Sequence, residues 1–466
     1  MFDNRGNVRG PYKGIYAEVA PSDASSLEAR AEALGRAFID QGITFSLSGQ
    51  ERPFPLDLVP RVISAAEWTR LERGIRQRVK ALEMYLDDIY GDQEILRDGV
   101  IPRRLVTSCE HFHREAAGIT PPNGVRIHVA GIDLVRDAQG TFRVLEDNLR
   151  SPSGVSYVME NRRTMARVFP NLFATHRVRP VADYSSHLLR ALRNAAATNE
   201  TDPTVVVLTP GPFNSAYFEH SLLAREMGVE LVEGRDLFCR DNAVYMRTTN
   251  GETQVDVIYR RIDDERLLGA DGVPTELGEL LIEPLLAGRL GCANSPGSGV
   301  GDDKAVHTYV EAMIRFYLGE EPLIPSVPGH DLGDPGQLEE ALPRLAELVI
   351  KPRSEFGGSG VLVGPLASDE ELRQARALIE AAPEHWIAQE PVPLSTHPTV
   401  VNGELRSRHV DLRPFVITGE AETTVVPGGL TRFARQEGEM VVNSGRGGGA
   451  KDTWVLQPEP GGGTSP

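Results

Sequence analysis

The longest regular apolar stripe in this chain is Trp68, Leu71, Ile75, Val79, Leu82, Leu86 and Ile89. Steps of three and four residues mark one buried face of an α-helix. Ser64 and Glu67 form a capping-box pattern before the stripe, and Gly91 ends it. Two segments with a strand pattern follow, 126–136 and 141–148. The polar stretch Asp137-Ala138-Gln139-Gly140 joins them, which predicts a hairpin. Continuous apolar runs at 204–208, 229–232 and 255–259 flank a helical pattern over 216–227, with Phe218, Leu222 and Leu223 on one face. That alternation predicts a parallel sheet, without a GxGxxG fingerprint after its first strand.

Beyond residue 300, Val306, Val310, Met313, Ile314 and Tyr317 predict the buried face of another helix, entered through the loop 297–303. Strands are predicted at 348–351, 361–363 and 386–390, with a helix capped by Ser368 and Glu371 between the last two. Residues 1–60 carry no readable period. Residues 326–337 read as a linker, and the Gly/Pro/Ser tail after Leu456 reads as disordered.

Charge narrows the partners. The 466 residues include 49 basic and 66 acidic side chains, a net −17, which repels nucleic acid and anionic membranes. Cys109, Cys239 and Cys292 form no CxxC pair, which argues against a disulfide framework or structural zinc and fits a reducing compartment. No apolar leader and no run of eighteen apolar residues is present, so a soluble cytoplasmic protein is expected.

The hairpin carries the first chemistry. With the turn at 137–140, Asp133 faces Val144 and lies diagonal to Glu146, about 7–8 Å away. Asn148 continues that face, which also holds Ile127, Val129, Phe142 and Val144, and Asp147 points the other way. Two carboxylates and an amide oxygen suit magnesium or manganese; a solvated hairpin end is the alternative.

Lys351 ends an apolar strand and precedes Gly357, Gly358, Ser359 and Gly360, whose amides can approach phosphate, although a plain hairpin fits equally well. Asp303 and Lys304 open a helix and suggest an anion site, or a simple cap beside a solvated lysine. Gln389 and Glu390 before Pro391 suit a hinge facing an adenine edge, or an ordinary strand end. Arg150, Arg261 with Asp263, Arg413 and Arg432 are candidate carboxylate or phosphate partners, or surface ion pairs. The glycine-rich stretch 443–454 is a closely approached loop or a linker. Neither GxSxG nor HExxH occurs, and His111 and His113 read as structural.

Taken in order, these phrases resemble the circularly permuted ATP-grasp type 2 family, related to glutathionylspermidine synthase. They are Leu145–Tyr157, Ile258–Asp264, Asp302–Val306, Gly428–Arg432 and Lys451–Trp454. The resemblance implies a mixed α/β, circularly permuted ATP-grasp fold with a Rossmann-like pre-ATP-grasp lobe. Residues 1–175 would carry the metal-binding hairpin, 176–295 the α/β lobe, 296–456 the nucleotide-binding lobes and 457–466 the tail.

It also implies ATP and Mg2+ (or Mn2+) as cofactors. Metal would sit on Asp133, Glu146 and Asn148. ATP would contact Lys304, Lys351, Gly357, Gly358, Ser359, Gly360, Gln389 and Glu390. Arg150, Arg261 and Arg432 would be catalytic, and Ser151, Ser153 and Tyr157 would meet substrate. The related synthase has a substrate arginine two residues before its metal aspartate, where this chain has Gly131, and its amidase domain has no counterpart here. The implied reaction is ADP-forming ligation of a small-molecule or peptide carboxylate to an amine through an acyl phosphate. A kinase and a non-catalytic nucleotide-binding regulator are the alternatives.

Overall fold

The computed structural model describes residues 1–458 except 4, 48–49, 199–200, 270–271, 356–358, 441 and 443–447. The unreadable amino-terminal region begins with helices Lys13–Val19 and Ala24–Asp40. Strand Leu56–Ile63 then pairs in parallel with Gly449–Val455, which also takes Thr431–Phe433 antiparallel. Strands from opposite ends of the sequence thus close one sheet. Lys451–Trp454 belong to its core. The Lys451 ammonium is buried against Asp57, and Arg162 donates to Asp452 at 2.9 Å. The linker reading therefore fails for Gly449 onward, while 443–447 lie outside the described residues.

The long helix spans Ala65–Tyr90, and its whole predicted stripe is buried. Ser64 accepts from the Glu67 amide at 3.3 Å. The Glu67 carboxylate pairs with Arg136 instead of completing a capping box.

The predicted hairpin forms from Val129–Arg136 and Phe142–Asn148, with a different register. The Asp137 amide donates to the Thr141 carbonyl at 2.9 Å, so Arg136 faces Phe142, and a bulge at Leu145 leaves Asp133 directly opposite Glu146. The extra residue turns Phe142 and Val144 to the far face, into the core with Leu134. On its other edge, Val129–Arg136 pairs with Phe415–Thr418 and Asp411–Leu412.

The α/β lobe holds a four-stranded parallel sheet in the order Gly291–Ala293, Val257–Arg260, Val205–Leu208, Glu230–Val232. The run read as one strand at 255–259 divides at Asp256. Val255 closes an antiparallel meander of Leu237–Arg240, Ala243–Thr248 and Gly251–Val255. A third, antiparallel sheet runs Gly329–Asp331, Trp386–Gln389, Val349–Pro352, Leu362–Val363.

The first of those strands, and helix Pro335–Ala341 after it, replace the expected linker. Asp334 caps the helix by accepting from Gln337 at 3.0 Å, and Pro335 takes the first-turn position where no N–H is needed. The helix expected after 303 is broken into Lys304–His307, Val310–Met313 and a π-turn Ile314–Leu318. Val306, Val310, Met313 and Ile314 are buried, and Tyr317 is partly covered. Among the described residues no helix is long and apolar enough to cross a membrane.

Candidate functional site

A cavity of about 520 Å³ lies where the hairpin, the α/β lobe and the third sheet meet. Asp133, Glu146 and Asn148 form one wall, Lys304, Lys351, Gln389 and Glu390 another, and Arg413 and Arg432 its end. Arg150, Ser151, Ser153, Tyr157 and Arg261 line the side toward the α/β lobe. Gly357 and Gly358 lie outside the described residues. Ser359 and Gly360 form an exposed turn, with φ +66° at Gly360, and are not on the wall, which Val361 reaches.

Asp133 is almost fully buried and gathers two arginines. Arg413 donates to its Oδ1 at 2.5 Å and its Oδ2 at 2.8 Å, and Arg432 donates to Oδ2 at 2.7 Å. Burial opposes the Asp133 charge, but Arg413 and Arg432 outweigh it and hold the carboxyl below its ordinary range. Arg432 also bridges to buried Asp411 at 2.5 Å. Burial pushes the Asp411 carboxyl above its ordinary range, an effect that Arg432 only partly offsets. Asp411, fixed by its pairing beside Val135, had no local signal in the sequence.

The hairpin wall offers hard oxygen donors on one face. Asn148 Nδ2 donates to the Gly131 carbonyl at 3.2 Å, and Arg413 donates to its Oδ1 at 3.4 Å. Among the described residues no three His, Cys, Asp or Glu side chains form a metal cluster. The candidate set instead combines two carboxylates with an amide oxygen, and these donors fit a divalent cation that keeps further ligands from phosphate and water. Asp147 points away, as expected. It is buried against Arg78 at 2.6 Å and His307 at 2.7 Å.

On the opposite wall, the Lys351 ammonium donates to Gln389 Oε1. Burial pulls its pKa down to about 8, Glu146 and Asp133 resist, and Lys304 adds to the lowering. Lys304 reaches the Glu355 carbonyl. Its helix is a single turn whose Ala305 and Val306 amides already bond Asp303, so the side chain, not the helix end, is what this turn offers to an anion. Arg353 fixes Asp303 at 2.7 Å, tying the Lys304 turn to the Lys351 strand. The Glu390 amide donates to Pro328 at 2.9 Å, and its carboxylate takes Arg344 at 2.9 Å, so both groups have partners within the protein.

Two expected partners differ in the structure. Arg261 pairs with Glu219 at 2.7 Å rather than with Asp263, and donates to the Pro152 carbonyl at 2.9 Å; Arg260 pairs with Asp264. Arg261 therefore clamps the Ser151–Gly154 loop to the α/β lobe. Tyr157 stacks on Phe54 at 4.2 Å and donates to the Thr44 carbonyl at 3.0 Å, which leaves its ring edge rather than its hydroxyl for the cavity. Arg150 lies within 3.6 Å of Asp263 and 3.4 Å of Glu265, and buried His111 stands 3.2 Å from Glu265. Asp302, also on the wall, is raised to about 6 by burial, with Arg150 opposing.

The family described as circularly permuted ATP-grasp type 2 matches residues 60–434. An uncharacterised protein of Mycobacterium tuberculosis is 71% identical over 98% of this chain and 84% of its own length. A protein of Frankia alni that carries the provisional name glutamate–cysteine ligase 2-3 is 44% identical over 98% of this chain, which spans 53% of it. A glutathione synthetase-like effector from Globodera pallida superposes with a TM-score of 0.62 at 12% identity, covering 93% of this chain and 98% of the effector. That likeness is one of fold.

Proposed function

Because this chain belongs to the circularly permuted ATP-grasp type 2 family, we propose that it is an ADP-forming ligase that activates a carboxylate as an acyl phosphate and passes it to an amine. The observation that supports this reading best is the meeting of Lys304 and Lys351 with Asp133, Glu146, Asn148, Arg413 and Arg432 around one cavity.

In this mechanism Lys304 and Lys351 hold the β- and γ-phosphates. Asp133, Glu146 and Asn148 would hold magnesium, which when bound neutralises charge across those phosphates. The substrate carboxylate attacks the γ-phosphorus and ADP leaves. Arg413 and Arg432 turn part of their charge from Asp133 to the phosphoryl oxygens, where preorganised donors act on developing charge. The amine then attacks the acyl carbon, phosphate departs, and Asp302 is placed on the wall to take the amine proton. Arg261 acts through the loop it clamps and not on the reacting atoms.

The name of the Frankia relative makes glutamate with cysteine the first pair to try, although that protein has about as much chain again beyond the shared region. The test is isotopic. With 18O in the acid's carboxylate, one labelled oxygen should appear in released phosphate for each amide formed. Turnover that gives amide with unlabelled phosphate would exclude the acyl phosphate.

A further inference from the structure

The side of the cavity toward the α/β lobe ends on a helix whose first turn leaves two amides without an acceptor among the described residues. Strand Val205–Leu208 runs into the loop 209–216 at its carboxyl end, and helix Tyr217–Met227 follows, with Asn214, Ser215, Ala216 and His220 on the cavity wall. Crevices at the carboxyl ends of parallel strands commonly receive ligands. Ala216 is the N-cap and offers no side-chain acceptor. The Tyr217 amide donates to Asn214 and the His220 amide to Ala216, while those of Phe218 and Glu219 have no acceptor among the described residues. The Glu219 carboxylate is turned aside: Arg261, the Gly154 amide and Ser156 take its oxygens at 2.7–3.0 Å.

His220 gives an independent indication. It is 1% exposed, and its Nδ1 lies 2.9 Å from Thr209 Oγ1. That hydroxyl oxygen accepts from the Gly211 amide at 3.2 Å, and among the described residues its own hydrogen has no acceptor other than Nδ1; the tautomer that satisfies this buried hydroxyl carries the ring proton on Nε2. Among the described residues Nε2 has no partner. Burial, with Arg261 nearby, pushes the imidazole down to about 2, so the ring stays a neutral donor.

We propose that the first turn of this helix, with Ser215 and the His220 Nε2–H, is a subsite for a second carboxylate of the acid substrate, distinct from the one phosphorylated. Two amides, an imidazole N–H and a hydroxyl at the positive end of a helix dipole select an anionic oxygen group. On the ligase reading the nucleotide phosphates meet Lys304 and Lys351, which leaves a carboxylate for this end. Arg261 joins the subsite to the loop that follows Asn148, so a dicarboxylic acid would be gripped at one end and activated at the other. The inference rests on the ligase reading but has its own test.

Calorimetry on the full chain with glutarate, butyrate, inorganic phosphate and a non-hydrolysable ATP analogue separates the two. Glutarate should bind at least about tenfold more tightly than butyrate, the worth of one or two charge-assisted hydrogen bonds. Ala216→Asp supplies a cap for the Phe218 and Glu219 amides, so it should abolish the glutarate preference without lowering the melting temperature. His220→Phe should cost glutarate about tenfold and His220→Gln less, with analogue affinity unchanged in all three variants. Equal binding of glutarate and butyrate, full retention of the preference in Ala216→Asp, or phosphate binding more tightly than glutarate would overturn the subsite. Failure of the ATP analogue to bind wild type, with the glutarate pattern intact, would overturn the ligase reading and leave the subsite standing.

Discussion

Arg413 lies across the face of Gly131. A Cβ built on that glycine would stand 3.2 Å from Arg413 Cδ and 3.0 Å from Pro152 Cβ. The related synthase carries a substrate arginine at this position. Here the glycine leaves room for an arginine from the link between Asp411–Leu412 and Phe415–Thr418 to reach Asp133. Gly131→Val should displace Arg413 and lower turnover sharply, and Gly131→Ala should do so mildly. Arg413→Ala should cost about 10²–10³ in kcat, the usual effect of removing a transition-state donor, and Arg413→Lys should recover only part because the two-pronged contact is lost. Steady-state kinetics on these four variants checks this; an unaffected Arg413→Ala variant would contradict it.

Glu146 and Asp147 are neighbours with opposite fates. Glu146→Gln should abolish turnover and leave the melting temperature near wild type. Asp147→Asn should act on stability, because it breaks a buried cluster with Arg78 and His307. The cost should be about 3–5 kcal/mol, read from urea unfolding. A stable Asp147→Asn protein would show that the cluster contributes little.

Lys304 and Lys351 should each matter to nucleotide binding. Replacing either by alanine removes a charge-assisted hydrogen bond worth about 1.5–3 kcal/mol. Titration calorimetry with ATP should show that loss in each variant, and unchanged affinity in both would remove the lysine wall from the site.

The pKa of Lys351 near 8 gives a pH signature. The ammonium binds phosphate below that value and loses its charge above it. In the free enzyme Glu146, Asp133 and Lys304 are the charged groups that act on it. kcat/KM for ATP should therefore fall as pH rises through about 8. Lys351→Arg keeps its charge and should lose this limb, and a limb that persists in that variant would belong to another group.

Much of the candidate site's arrangement was legible because its signals are local. The alternation along Val129–Asn148 put Asp133, Glu146 and Asn148 on one face, and the register error did not break that grouping. The bulge at Leu145 was illegible because one inserted residue leaves no mark on the polar pattern, yet it reverses Phe142 and Val144. Pairings across the chain were out of reach for the same reason. Nothing near Arg261 names Glu219, 42 positions away, and nothing near Arg432 names Asp133, 299 positions away. The strand Leu56–Ile63 was missed because its partner is the last strand of the chain. The pieces after Asp303 kept the apolar face of a helix while its hydrogen bonding changed from α to π, which periodicity cannot distinguish.

The proposed reaction cleaves ATP at its γ-phosphate to make an acyl phosphate. Hydroxylamine intercepts such an intermediate, so the protein with ATP, magnesium, a panel of mono- and dicarboxylic acids and hydroxylamine should yield a hydroxamate and an equal amount of ADP by chromatography. AMP and pyrophosphate would contradict the account whatever acid is used, and ADP with a stable phosphorylated product and no hydroxamate would make the protein a kinase.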